Sequence, residues 1–181
     1  MTANIERPWS VPIRLEEIGE TGRHVELEAS EAVRAALAKP AGVDAIERLV
    51  ARFDLTRRGR DRLQVSGEVS GTVQQTCVVT LDPLVNEINE TVDLAFAPPR
   101  ELAKDSAEID LDLASSREDV EPLVGNAVDL GLIATEFFIL GIDPYPRKPG
   151  AAFDAPKPAA DPQSHPFARL AGLQKNSTVK K

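Results

Sequence analysis

The sequence predicts an α+β fold: a curved, mostly antiparallel sheet, open or closing towards a barrel, with one short N-terminal helix and one buried C-terminal helix. Three observations predict it. Apolar and polar residues alternate with period two over most of 9–96, an alanine-rich run follows Ser30, and the stretch LIATEFFIL is apolar on almost every side. At 181 residues and 42 % hydrophobic content the chain can bury one core. The expected organisation is a single domain over 1–150, then a Pro/Ala-rich tail over 151–181.

Trp9, Val11, Ile13 and Leu15 oppose Ser10, Pro12, Arg14 and Glu16, which predicts a strand with one wet face. Pro12 cannot donate to a ladder, so that strand belongs at an edge. After the turn-like 19–22, Val25 and Leu27 against His24, Glu26 and Glu28 predict the return strand of a hairpin. Ser30 can accept a free amide at the start of EAVRAALAK, a helix expected to stop at Pro40.

Alternation resumes at Leu49, Ala51, Phe53 and Leu55, and again from Leu63 through Val65, Gly67, Val69, Gly71, Val73, Cys77, Val79 and Leu81, with Gln75 out of phase. A single strand over 63–81 would be roughly 60 Å long, so a bend or bulge is expected at Gly67 and Gly71. Asp82-Pro83 supplies a turn, and Ile88, Val92, Leu94 and Phe96 complete a meander. Residues 97–127 read as an acidic excursion with a marginal strand at Ile109, Leu111 and Leu113. Asp129 caps a helix running to about Gly141, which is expected to pack on the sheet. DPYPRKPG and the residues to Pro166 read as an extended linker, and HPFARLAGL at 165–173 as a short docking segment.

No basic start with an apolar run opens the chain, and LIATEFFIL is short and contains Glu136, so neither a signal peptide nor a membrane span is expected. A single cysteine, Cys77, permits no internal disulfide and no thiolate cage for zinc. A soluble, cytoplasmic protein without cofactor fits these features.

The net charge of -8 conceals segregation. Residues 48–62 carry six arginines against two aspartates, 82–121 twelve acids against three bases, and 145–181 seven bases against two acids. Four of the arginines fall in TRRGRDR, between two predicted strands, where Gly59 can take the positive φ of a hairpin tip. Arg57, Arg58, Arg60 and Arg62, with Arg48 and Arg52 on the outer parity of the preceding strand, would form one stripe able to grip phosphates. A solvated turn is the plainer reading of the same residues.

Motifs for catalysis are missing: there is no phosphate loop, HExxH, paired CxxC or GxSxG. Asp110, Asp112, Glu118 and Glu121 match part of a calcium-loop frame, but Ala114 and Ser115 stand where an oxygen ligand and a glycine are needed. Cys77 shares the inward parity of Val73 and Val79 and reads as a small core hydrophobe. Glu136, on a mostly buried helix, needs a donor or an interface.

Taken together, LQVSGEVSGTVQQTCVVTLDP at 63–83, TVDLAF at 91–96, VDLGLIATEFFILGIDPYPRKPGAAF at 128–153 and HPFARLAGL at 165–173 resemble the YceD family of bacterial proteins. The DPYPR ending, with Pro144, Tyr145, Pro146 and Arg147, is similar to the alphaproteobacterial branch. Cys77 matches the first cysteine of the family's CxRCL segment, and Thr80 replaces the second, so thiol-pair or zinc chemistry is not implied. Asp129 and Glu136 match the family's late helix. The resemblance implies a non-enzymatic factor for accumulation, processing or assembly of large-subunit (23S) ribosomal RNA. Two modes of action stay open: direct contact with that RNA or its precursor through the arginines, or an adaptor for ribosomal or assembly proteins working through 165–173 and the acidic excursion. Aromatics at 4 % leave little for base stacking.

Overall fold

The computed structural model describes residues 8–59, 61–99 and 120–153. Among them are strands β1 (Pro12–Arg14), β2 (Arg23–Glu28), β3 (Ala45–Arg58), β4 (Arg62–Thr76), β5 (Pro83–Ala97), β6 (Val120–Pro122) and β7 (Ala127–Asp129), with helices α1 (Glu31–Ala41) and α2 (Leu130–Leu140). The fold is α+β. Strands β2-β3-β4-β5-β6 form one open sheet, antiparallel except for β6, which runs parallel to the end of β5, and β1 and β7 form a separate antiparallel ribbon.

The alternation put the side chains on the correct faces. Leu49, Phe53, Leu55, Leu63, Val65, Val69, Val73, Ile88 and Val92 are all buried on the inner face of the sheet. Helix α2 covers this face, burying Leu130, Ile133, Ala134 and Phe138 against it. Each strand therefore spends one parity on the core and the other on water.

Several expectations are corrected. Trp9, Ile13 and Leu15 are buried as predicted, but β1 pairs with β7, and β2 pairs with β3, so the N-terminal hairpin does not form. The alternation specified faces and could not specify partners. Helix α1 is capped by Ser30, whose Oγ accepts the Val33 amide at 3.4 Å, yet it runs through Pro40. A proline next to the last residue forfeits a single bond; Gly42, at φ 70°, ends the helix, its amide bonding the Ala38 and Lys39 carbonyls.

The long strand carries no bulge at Gly67 or Gly71: β4 pairs with β5 in unbroken register from Leu63 opposite Phe96 to Thr76 opposite Pro83. The strand stays plausible in length because it stops at Thr76. The irregularity lies instead in β3, between Ile46 and Arg48. The two glycines make room: a Cβ at 67 would strike the Arg52 carbonyl oxygen, and one at 71 would strike the Arg48 carbonyl oxygen and lie 2.6 Å from Phe138 Cε2. The marginal strand at 109–113 and the segment at 165–173 lie outside the described residues.

Candidate functional site

The arginine cluster sits where the spacing placed it. Arg57 and Arg58 end β3, Arg62 begins β4, and Gly59 turns the chain at φ 74°. Arg58 is directly opposite Arg62 in the ladder, and both are exposed. Arg57 and Arg62 each already hold a partner, and their guanidinium groups keep further N–H donors for an anion. Arg60 lies outside the described residues.

Arg48 and Arg52 occupy the outer face as expected, but in different surroundings. Arg52 lies between two carboxylates, Nε to Glu26 at 3.0 Å and Nη1 to Glu68 at 3.2 Å, and these hold its pKa above the usual value, Glu68 most. Arg48 donates to Ser70 Oγ at 3.1 Å. Ten residues of strand separate Arg48 from Arg58, roughly 33 Å. The five described arginines therefore divide into three at the tip, Arg57, Arg58 and Arg62, and two strand residues, of which Arg52 lies between two carboxylates.

The opposite end of β4 carries the second cluster of expected residues. After Thr76 the chain turns through 77–82, with the Cys77 amide donating to the Asp82 carbonyl at 2.8 Å and the Leu81 amide to the Cys77 carbonyl at 2.9 Å. The segment 143–148, expected as an extended linker, docks on this turn. The Val78 amide donates to the Pro146 carbonyl at 3.0 Å, Lys148 Nζ pairs with Asp82 at 2.9 Å, and Pro146 is buried. Gln75, which broke the alternation, is the fastening: it is 4 % exposed, its Nε2 donates to the Asp143 carbonyl at 2.9 Å, and its Oε1 accepts from Asn86 at 2.7 Å. Satisfying both ends of a buried amide side chain is what permits it in the interior.

Cys77 is fully buried but stands outside the apolar core cluster. Its Sγ accepts the amides of Thr80 and Lys148, each at 3.4 Å. The Thr80 side chain first, then the Lys148 and Thr80 amides, pull its pKa down to about 6, against burial, which pushes it up. Cys77 is buried as expected, and its sulfur is in addition a hydrogen-bond acceptor that ties the 143–148 segment to the turn. No group of three or more His, Cys, Asp or Glu side chains suited to a metal occurs among the described residues.

Asp129 joins three elements. Oδ1 accepts the α2 amides of Gly131 and Leu132 at 3.1 and 3.2 Å and the Val11 amide at 2.8 Å, and Oδ2 accepts the Ser10 hydroxyl at 2.7 Å. Glu136 is exposed, so it needs no buried donor: the helix shows it to water while Ile133, Ala134 and Phe138 face the sheet. Near the start of β3 a cleft of about 420 Å³ separates α1 from the strand, with Ala35 and Ala38 inside and Glu31, Arg34, Asp44 and Glu47 around it. It offers charge and shape without a nucleophile.

Two residues were missed by sequence reasoning: Gln75 and Lys148. Gln75 was visible as the one break in parity, and Lys148 gave no local signal, because its bonds join segments about 65 residues apart. Leu81, read on the inward parity, is instead exposed, because β4 ends at Thr76 and the chain turns. Residues 65–174, more than half of the chain, match the family described as large ribosomal RNA subunit accumulation protein YceD. No curated protein and no solved structure matches.

Proposed function

Because the chain belongs to the YceD family of large ribosomal RNA subunit accumulation proteins, we propose that it supports accumulation of large-subunit (23S) ribosomal RNA in the cytoplasm as a non-enzymatic factor, contacting the RNA through the tip of the β3–β4 hairpin. The observation that carries the contact is the facing of Arg58 and Arg62 across the ladder beside Arg57. A phosphate that reaches two guanidinium groups at once accepts charge-assisted hydrogen bonds from both. Farther along the outer face Arg52 pairs with Glu26 and Glu68. No helix among the described residues is long and apolar enough to cross a membrane.

The test combines crosslinking in cells with binding in solution. Ultraviolet crosslinks should map to large-subunit precursor RNA and vanish when Arg57, Arg58, Arg60 and Arg62 become glutamine. For three phosphates engaged on a duplex, log affinity should fall against log salt with a slope of about -2.7. A flat salt response, or crosslinks that persist in the quadruple variant, overturns RNA contact through the tip.

A further inference from the structure

The end of the sheet remote from the arginines presents apolar side chains to water. Val78 is 46 %, Leu81 76 % and Tyr145 70 % exposed, and the backbone bonds between the 77–82 turn and the 143–148 segment bring all three to one end of β4. Leu81 is also held at φ 61°, a left-handed conformation that glycine or asparagine adopts far more readily. A branched apolar residue, conformationally strained and turned outward, gains nothing for the isolated chain. The turn that holds it there is braced by the Lys148–Asp82 pair, the bonds to Cys77 Sγ and the Val78–Pro146 bond. Covering the leucine takes its apolar surface out of water.

Charge indicates what covers it. Around this end Asp44, Glu47, Asp82, Glu87 and Asp143 stand against Lys39, Arg48, Arg147 and Lys148, five acids to four bases, and the whole chain carries -8. Such surroundings repel phosphates and attract cationic protein. Strand β4 places this end about 50 Å from the arginine tip, so the two surfaces can be occupied at once.

We propose that Val78, Leu81 and Tyr145 form a docking ridge for a basic protein of the large ribosomal subunit, which lays an apolar segment across it. The proposal rests on the large-subunit reading above and adds the partner. An interface anchored by a few apolar and aromatic residues within a charged rim is the usual form of such contacts.

The test places a photoreactive p-benzoylphenylalanine at position 145 of the full-length chain and irradiates it with RNA-free protein extracted from purified large ribosomal subunits. Adducts should concentrate on one or two basic proteins, and Leu81→Gly should cut their yield at least tenfold. That variant removes the side chain and relieves the positive φ, so its fold survives; unchanged thermal unfolding verifies this. Adducts with a second copy of the chain, adducts only with RNA when intact subunits are used, or full yield from Leu81→Gly each overturn the proposal. In cells lacking the protein, normal large-subunit RNA levels would count against the functional reading itself. Reduced levels that Leu81→Gly restores fully would count against the ridge alone.

Discussion

Replacing Asp129 by alanine should lower the stability of the domain by about 3 kcal/mol, and replacing it by asparagine by less than about 1 kcal/mol. The difference follows from the donors that meet its carboxylate. The bonds to Gly131 and Leu132 form an N-cap worth about 1 kcal/mol. The 2.8 Å bond from the partly buried Val11 amide to a charged acceptor is worth about 2 kcal/mol, because losing the acceptor strands the donor. The exposed Ser10 hydroxyl can turn to water, so its bond adds little. Asparagine keeps Oδ1 for all three backbone donors and is itself a good cap. Urea denaturation followed by circular dichroism gives the numbers, and by calorimetry the alanine variant should melt about 6–12 °C lower. If asparagine costs as much as alanine, the charge and not the acceptor geometry holds the N-terminal segment, and the reasoning fails.

Gly71→Ala should destabilise by about 3 kcal/mol, since its methyl meets the Phe138 ring and the Arg48 carbonyl, and Phe138→Leu in the same chain should recover part of that; strictly additive urea midpoints would refute the contact. Gly42→Ala should cost about 1 kcal/mol of stability through its left-handed φ alone, because nothing lies within 4 Å of an added Cβ. The Cys77 thiol, held down to about 6 in the folded chain, should make its stabilising contribution fully above the unfolded value near 9 and lose it as pH falls through 6. The stability gap between wild type and Cys77→Ala should therefore widen from pH 6 to pH 9, and a gap independent of pH would refute the hydrogen-bonded thiolate.

The long meander was legible because β3, β4 and β5 bury one face each, and a half-buried strand writes its period into the chain. The α2 cap was legible for a similar local reason: Asp129 precedes an apolar run by one residue. What escaped prediction depended on distant partners. Pro12 signalled an edge without saying that β7 would meet it, and the prolines of 143–148 read as a linker because proline marks the lack of a ladder and not the lack of a docking site. Gly67 and Gly71 were read as flaws in a strand, whereas each marks a close approach across it. At the arginine tip the sequence located the charges; the direct facing of Arg58 and Arg62 required the ladder.

The close approach of Phe138 to Gly71 also bears on the register of the ladder. In the β4–β5 pair a slip of two residues keeps every apolar side chain on its own face, so hydrophobic burial alone discriminates poorly against it. Such a slip moves Val69 or Val73 to the point where Phe138 descends, and a site that rejects even a methyl group rejects a valine outright. Helix α2 thus discriminates between frames of the ladder: only the correct alignment leaves room for the ring.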